Sequence, residues 1–227
     1  MTVKTPTRIC CADVGALEES ALFQKLYERT SGRRREKIDF LRFDKDKRLS
    51  LGADALLRFA LAELGLDPDE PIAEGPGGKP YLLKRPDVRF NLSHSGSQAL
   101  CAVSANEIGC DVDAIDDVEL SVAERVLHPE ELARLMALED AARRRYFCRL
   151  WTLKESFMKA TGLGLALEPN DFAILIDGAS ITVDQRVDAR SYSFREYDLS
   201  DRYCRACCVQ NGSPPEELVR VDLSELK

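Results

Sequence analysis

The sequence predicts an α+β fold built from two similar halves, on three observations. Residues 46–65 and 141–161 are long stretches with helical apolar spacing. Each is followed by short strand-like runs bounded by turn residues. The two helices also echo each other. A shift of 101 positions lays "RLSLGADALLRFALAELGL" (48–66) over "RLWTLKESFMKATGLGL" (149–165), with Asp54 on Glu155 and Arg58 on Lys159.

The elements follow in order. Residues 7–14 read as a short strand. Residues 17–29 read as a helix with Leu17, Leu22, Leu26 and Tyr27 apolar, and 33–43 as a second carrying Ile38, Phe40, Leu41 and Phe43. Helix 46–65 repeats Leu49, Ala53, Leu56, Leu57, Ala60, Leu61 and Leu64, and Gly65 offers a C-cap. The segment "DPDEPIAEGPGGKPYL" is rich in turn residues and holds a Gly-Gly-Lys-Pro loop. Strands are predicted at 88–92, 98–104 and 107–114, with a bend at Ser93–Gly96 and a turn at Ala105–Asn106. A helical region at 119–126 precedes a helix opened by Pro129. Helix 141–161 and the loop "GLGLALEPNDF" come next, then strands at 172–177, 180–184, 192–198 and 203–209, and a polar end.

Composition bounds the function. A chain of 227 residues is long enough for one large domain or two small ones. Its net charge of −7 argues against a nucleic-acid partner. The run Arg33, Arg34, Arg35, Lys37 is either a local basic pocket or a solvated patch. No apolar run approaches the roughly 20 residues of a membrane span, so no membrane partner is expected. The start "MTVKTPTRICCADVG" lacks the apolar core of a signal peptide, which points to the cytoplasm. Eight cysteines there are expected as thiols. Cys204-x-x-Cys207 has no second ligand pair nearby, so a zinc site is set aside in favour of small buried side chains on a strand.

Two places carry chemistry. In "GCDVD" (109–113) strand geometry puts Asp111 and Asp113 on one face. They are either the solvated face of an edge strand or a carboxylate pair that a hard divalent cation such as Mg²⁺ would neutralise. In "WTLKESFMK" (151–159), Glu155 and Lys159 share a helix face. An exposed pair of that kind contributes only about 0.2–0.5 kcal/mol. This helix, however, is apolar on several sides through Phe147, Leu150, Trp151, Leu153, Phe157 and Met158, and should be buried. Glu155 could then be a third carboxylate for the cation, and Lys159 could neutralise a phosphate.

Three blocks together, in this order and spacing, resemble the 4′-phosphopantetheinyl transferases of the surfactin-synthetase-activating (Sfp) type. They are "FNLSHSG" (90–96), "IGCDVD" (108–113) and "WTLKESFMK" (151–159). "RRREK" (33–37), followed by "KRLSLG" (47–52), and "GGKPYL" (77–82) are weaker matches. The resemblance runs from about residue 31 to 176, and Asp113 stands where many members have Glu. It implies two pseudo-symmetric α/β halves, 1–106 and 107–227, each a small mostly antiparallel sheet on a long helix. The active site lies in the cleft between them.

The implied reaction moves the phosphopantetheine arm of coenzyme A to a serine of an apo carrier protein and releases 3′,5′-ADP. By resemblance, Asp111, Glu155 and Asp113 (directly or through water) hold Mg²⁺, Glu155 is the general base, and Lys159 stabilises phosphate charge. Ser93 and His94 would meet the pyrophosphate, and Arg34, Lys37, Arg48 and Lys79 the 3′-phosphate and pyrophosphate. Asp111 and Lys159 would also touch coenzyme A, and Lys154 would hold the helix or the phosphate region. The longer members are monomers. The carrier could serve fatty-acid, polyketide or nonribosomal-peptide synthesis and dock along 118–138, through Val122, Val126 and Leu127, unless these pack in the core. Two alternatives stay open: a non-catalytic carrier-binding relative, and another Mg²⁺-dependent phosphate-processing enzyme.

Overall fold

A computed structural model describes residues 5–199 and 202–226. The first half opens with β1 (Arg8–Asp13), α1 (Ser20–Tyr27), α2 (Gly32–Phe40) and the long α3 (Asp44–Glu63). Then come a small hairpin of β2 (Ile72–Glu74) and β3 (Pro80–Leu82), and β4 (Arg89–Ser95) with β5 (Gln98–Ser104). The second half holds β6 (Ile108–Ala114), α4 (Ala123–Val126), α5 (Pro129–Met136) and the long α6 (Asp140–Thr161). It continues with β7 (Ala173–Asp177), β8 (Ser180–Asp184), β9 (Tyr192–Tyr197), β10 (Tyr203–Gln210) and β11 (Val219–Arg220).

Two sheets dominate, in the orders β11-β1-β5-β4 and β6-β10-β9. Every pairing in them is antiparallel except β1 with β11. Period-2 alternation explains the layering. Cys10 and Ala12 of β1, with Ala99, Cys101 and Val103 of β5, face α3. Their neighbours Ile9, Cys11, Leu100 and Ala102 face Ile108, Cys110, Val112, Cys207 and Val209 of the other sheet. Cys204, Ala206 and Cys208 turn the opposite way, towards Leu150, Leu153 and Phe157 of α6. The stack is therefore helix, sheet, sheet, helix, an α+β fold with each small sheet on one long helix. Strands buried on both faces need compact apolar side chains, and all eight cysteines are buried free thiols.

Where the sheets meet edge to edge, side chains replace a backbone ladder. Asn91 Oδ1 accepts from the Cys110 N–H at 2.9 Å, Ser93 Oγ from Val112 at 3.4 Å and Ser95 Oγ from Ala114 at 3.3 Å. The three donors and the three acceptors are each spaced by two, so the pitch of one strand reads the pitch of the other.

Helix α6 lies directly on β6. A Cβ added to Gly109 would sit 2.0 Å from the Ser156 carbonyl oxygen and 2.5 Å from the Ala160 nitrogen. These are backbone atoms and cannot swing aside. Gly109→Ala should therefore cost about 3 kcal/mol, the upper end for overpacking, and lift α6 from the acids of β6. Urea unfolding at equal activity-assay temperature checks this. A midpoint within error of wild type would contradict the close approach.

Several expectations need correction. Strand β4 runs on through Ser93, His94 and Ser95, and the bend sits at Gly96–Ser97. Ser93 and Ser95 hold the strand extended by bonding β6. The helix expected over 33–43 stops at Phe40, where Leu41 turns to extended backbone. The turn-rich segment contains the β2–β3 hairpin. The polar end contributes β11, and Leu223 packs in the first core. The chain thus crosses back over the expected 106/107 division.

Candidate functional site

A cavity of about 740 Å³ opens between the halves. Strand β4 contributes Ser93, His94 and Ser95 to its walls, β6 contributes Asp111 and Asp113, and α6 contributes Trp151, Glu155 and Lys159. Helices α2 and α3 close the other side with Arg33, Arg34, Lys37, Asp54 and Arg58. The spacing on α6 explains its share: 151, 155 and 159 recur every four residues and make one stripe. The intervening Leu153, Ser156, Phe157 and Ala160 are buried. Gly162, left-handed at φ 73°, ends the helix, and its N–H donates to the Met158 carbonyl at 3.2 Å.

Lys159 is the hub. Its ammonium donates to Asp111 Oδ1 at 2.6 Å, to Ser93 Oγ at 3.3 Å and to the Cys110 carbonyl at 3.4 Å. The Ser93 hydroxyl also donates to Asp111 Oδ1 at 2.7 Å. Burial opposes the charge on Lys159, but the Asp111 carboxylate outweighs it and holds the ammonium above the ordinary lysine value. Asp113 accepts from Ser95 Oγ at 2.6 Å. Burial raises the Asp113 carboxyl, the Ser95 bond works against this, and the Asp111 charge adds to it.

Glu155 makes no hydrogen bond or ion pair among the described residues. Its carboxyl is raised by burial and by the charges of Asp111 and Asp113, against the pull of Lys159. His94 is open to the cavity, yet the concave walls desolvate its ring and hold the imidazole below its usual value. Among the described residues no three His, Cys, Asp or Glu side chains come close enough to cage a metal ion. The donor set still fits Mg²⁺. That ion takes oxygen ligands and uses one or two carboxylates, with substrate phosphates and water completing the shell. The raised carboxyls of Asp113 and Glu155 are also acids that a cation would relieve.

The basic residues divide. Arg34 Nε donates to Asp54 Oδ1 at 2.9 Å at the cavity wall, and Lys37 lines the same wall. Arg48 lies outside the lining and pairs with Glu18 at 3.4 Å. Lys79 lines a separate cavity of about 470 Å³, where it donates to Glu107 at 2.8 Å and to the Ile108 carbonyl at 3.1 Å. Lys154 does not face a cavity at all. It is fully buried, donates to Glu131 Oε1 at 2.8 Å and to the Phe172 carbonyl at 2.7 Å, and lies 4.2 Å from the Phe172 ring centroid. Of the two roles expected for Lys154, it holds the helix, tying α6 to α5 and to Phe172 just before β7, and its expected place among the coenzyme A contacts is corrected. The same applies to the expected docking residues. Val126 and Leu127 are buried in the second core, and Val122 packs against it.

Asp54, Arg58, Ser95 and Trp151 line the cleft without having been singled out as site residues. Each left a signal: Asp54 and Arg58 in the echo with Glu155 and Lys159, Trp151 in its four-residue spacing from Glu155, and Ser95 in an alternation with Ser93 that matches Asp113 with Asp111.

The chain is similar to known proteins. A 4′-phosphopantetheinyl transferase from Bacillus subtilis is 34% identical over 183 residues, covering 79% of this chain and 81% of the relative. The Sfp protein of Bacillus subtilis (strain 168) is 30% identical over 199 residues, covering 86% and 89%. Residues 107–208 match the 4′-phosphopantetheinyl transferase superfamily (ACPS). The chain belongs to the 4′-phosphopantetheinyl transferases. Among solved structures, a holo-(acyl-carrier-protein) synthase from Bacillus anthracis matches 46% of this chain and 94% of its own, at 18% identity and a TM-score of 0.42. The matched segment spans β6, α6 and most of β10, and β6 and α6 carry Asp111, Asp113, Glu155 and Lys159.

Proposed function

We propose that this transferase moves the 4′-phosphopantetheine arm of coenzyme A to a serine of an apo carrier protein and releases 3′,5′-ADP. Asp111, Asp113, Glu155 and the paired Lys159 line one cleft whose opposite wall is basic, and this carries the reading. One wall suits a pyrophosphate and its counter-ion; the other, with Arg33, Arg34 and Lys37, suits a further phosphate.

In this reading Ser93, His94 and Lys159 hold the pyrophosphate at the edge of β4 and β6. Asp111 keeps Lys159 charged and in place. Glu155, unpaired among the described residues and with its carboxyl raised by burial, takes the proton of the acceptor serine as its oxygen attacks the β-phosphorus. The new bond to the serine oxygen forms as the bond to the departing ADP oxygen breaks, and Lys159 balances the charge that gathers on that oxygen. Asp111 and Glu155, with Asp113 beside them, would hold Mg²⁺, which would supply countercharge to the pyrophosphate. Arg34 and Lys37 take the 3′-phosphate. Arg48 and Lys79 reach it only by leaving Glu18 and Glu107. The enzyme acts as a monomer in the cytoplasm.

Glu155→Gln tests the base. Turnover should fall by about 10²–10⁴-fold while coenzyme A affinity changes little, as measured by single-turnover transfer and calorimetry. Equal losses in both would point to binding instead. The same variant should be more stable than wild type in EDTA. A carboxyl raised in the folded state destabilises once pH exceeds its unfolded value, near 4, and increasingly so up to its raised value. The gain in Tm should therefore be present at pH 7 and vanish below pH 4. His94→Ala should weaken coenzyme A binding about tenfold or more, as expected for a lost bond to a charged group. An unchanged Kd would make His94 structural.

A further inference from the structure

The two walls of the cleft use one device twice. On one side Asp111 holds the ammonium of Lys159 in place. The other side has an acid of its own, Asp54 on α3, to which the transfer chemistry gives no task. Eleven residues of α3 are buried, and Asp54 is the one that carries a charge. It is 6% exposed, and its Oδ2 is closed to solvent with no hydrogen-bond partner among the described residues. A buried carboxylate with one oxygen unsatisfied costs stability, and an alanine like Ala53 and Ala55 on either side would not. Such a cost, kept at a cleft wall, points to a function.

The bond that Asp54 does make says which function. Its Oδ1 accepts from Arg34 Nε at 2.9 Å, joining α3 to α2. The carboxylate is the deeper partner, with 8% of its side chain exposed against 17% for Arg34. A ligand in the cavity therefore meets the guanidinium first. With Nε taken, the terminal Nη1 and Nη2 have no partner among the described residues. Two nitrogens in one plane match two oxygens of a phosphate monoester. Ser31 fixes the backbone of the same residue, accepting the Arg34 N–H at 3.3 Å. The other arginines of this wall are engaged elsewhere. Arg33 donates to the Ile72 carbonyl at 3.0 Å, and Arg58 pairs with Asp69. Lys37 adds positive charge, but as a point and not as a fork.

We propose that Asp54 is the positioning residue of the 3′-phosphate subsite. By holding Arg34 at Nε it presents the terminal nitrogens as a preset fork, and so makes the cleft select coenzyme A over its 3′-dephosphorylated form. This inference rests on the transfer reading above. Asp54 touches no substrate atom itself. An untethered arginine gives up its side-chain freedom when the phosphate binds, whereas a tethered one has given it up already. The acid lowers the net charge of the wall, and the geometry of the fork outweighs that loss.

The test uses the full chain with Mg²⁺ and an apo acyl carrier protein, and compares coenzyme A with 3′-dephospho-coenzyme A. Wild type should favour coenzyme A in kcat/KM by about 10²-fold, as expected for bonds to a charged group. Asp54→Ala should cut that preference about tenfold, through KM for coenzyme A and not through kcat. Asp54→Glu, which keeps the acid, should restore part of it. In an Arg34→Ala background, Asp54→Ala should change the preference less than about twofold, because Asp54 acts through Arg34. A preference that Asp54→Ala leaves intact overturns the proposal. So does one that rises, since Asp54 would then compete with the phosphate for Arg34. Should Asp54→Ala fail to fold, Asp54→Asn keeps the shape, weakens the tether and should lower the preference in the same direction. Calorimetry reads the same preference without a carrier, so it holds even where transfer fails. Wild type that binds both coenzymes equally overturns this inference alone. Wild type that binds neither removes the transfer reading, and this inference with it.

Discussion

Asp111→Asn should leave a folded protein whose transfer rate is lower by about 10³-fold. The side chain does three things at once. It pairs with Lys159 at 2.6 Å, it accepts the Ser93 hydroxyl at 2.7 Å, and it keeps the Lys159 ammonium charged against burial. An amide keeps the shape and the Ser93 contact, and it removes the charge that all the phosphate chemistry depends on. Loss of one charged or donor group that acts on the transition state commonly costs 10²–10³-fold in turnover. Here two charged groups are affected, since Lys159 loses the partner that holds it. Single-turnover transfer at saturating coenzyme A measures the effect. Circular dichroism separates it from unfolding. Activity within tenfold of wild type would remove Asp111 from the centre of the account.

Glu131→Ala should destabilise the fold by about 3–5 kcal/mol without changing the chemistry of the molecules that remain folded. Glu131 and Lys154 are 1% and 0% exposed, and the pair is fully enclosed. Besides Lys154, Glu131 accepts the backbone N–H groups of His128 at 2.8 Å and Ile174 at 2.6 Å. Removing the carboxylate strands a buried ammonium and two buried amides, and breaking one partner of such a pair carries that cost. Burial already holds Lys154 below its ordinary pKa, with Glu131 opposing. In the variant that opposition is gone, and the folded state must release a proton that the unfolded chain keeps up to about pH 10.4. The deficit should accordingly shrink as pH rises towards that value. Replacing both residues by Leu and Met should restore much of the stability. Normal coenzyme A affinity in that double variant would fit a lysine that only anchors α6. A large loss of affinity in a stable double variant would return Lys154 to the ligand.

How much of this was legible in the sequence depends on the range of the signal. The long helices were readable because Leu49, Leu56, Leu57 and Leu61 on one, and Leu150, Leu153 and Phe157 on the other, keep helical spacing. The acids were readable because a two-residue period fixes which side chains share a face of a strand. The rest depended on distant partners. β11 is two residues long and pairs with β1 across some two hundred positions, which no local pattern encodes. The extended run through Ser93–Ser95 looked like a bend because Ser and Gly favour turns, and the bonds that straighten it come from β6. Lys154 shares a nonapeptide with Glu155 and Lys159, and one position along a helix rotates a side chain by about 100°. That rotation took it from the cleft to a partner 23 residues upstream. The cysteines of β10 were expected to be buried, but the burial of β5 and β10 on both faces was not legible, because cysteine and alanine report little about which face they fill until both sheets are in place.

The most direct measurement is the intact mass of a panel of apo carrier proteins after incubation with this protein, coenzyme A and Mg²⁺, with a parallel series in EDTA. The account predicts that at least one carrier gains the mass of one phosphopantetheine on its serine, and that EDTA suppresses the gain. A folded protein that binds coenzyme A and Mg²⁺ yet adds nothing to any carrier of the acyl, polyketide or peptidyl classes would contradict it, and would leave a carrier-binding relative in its place.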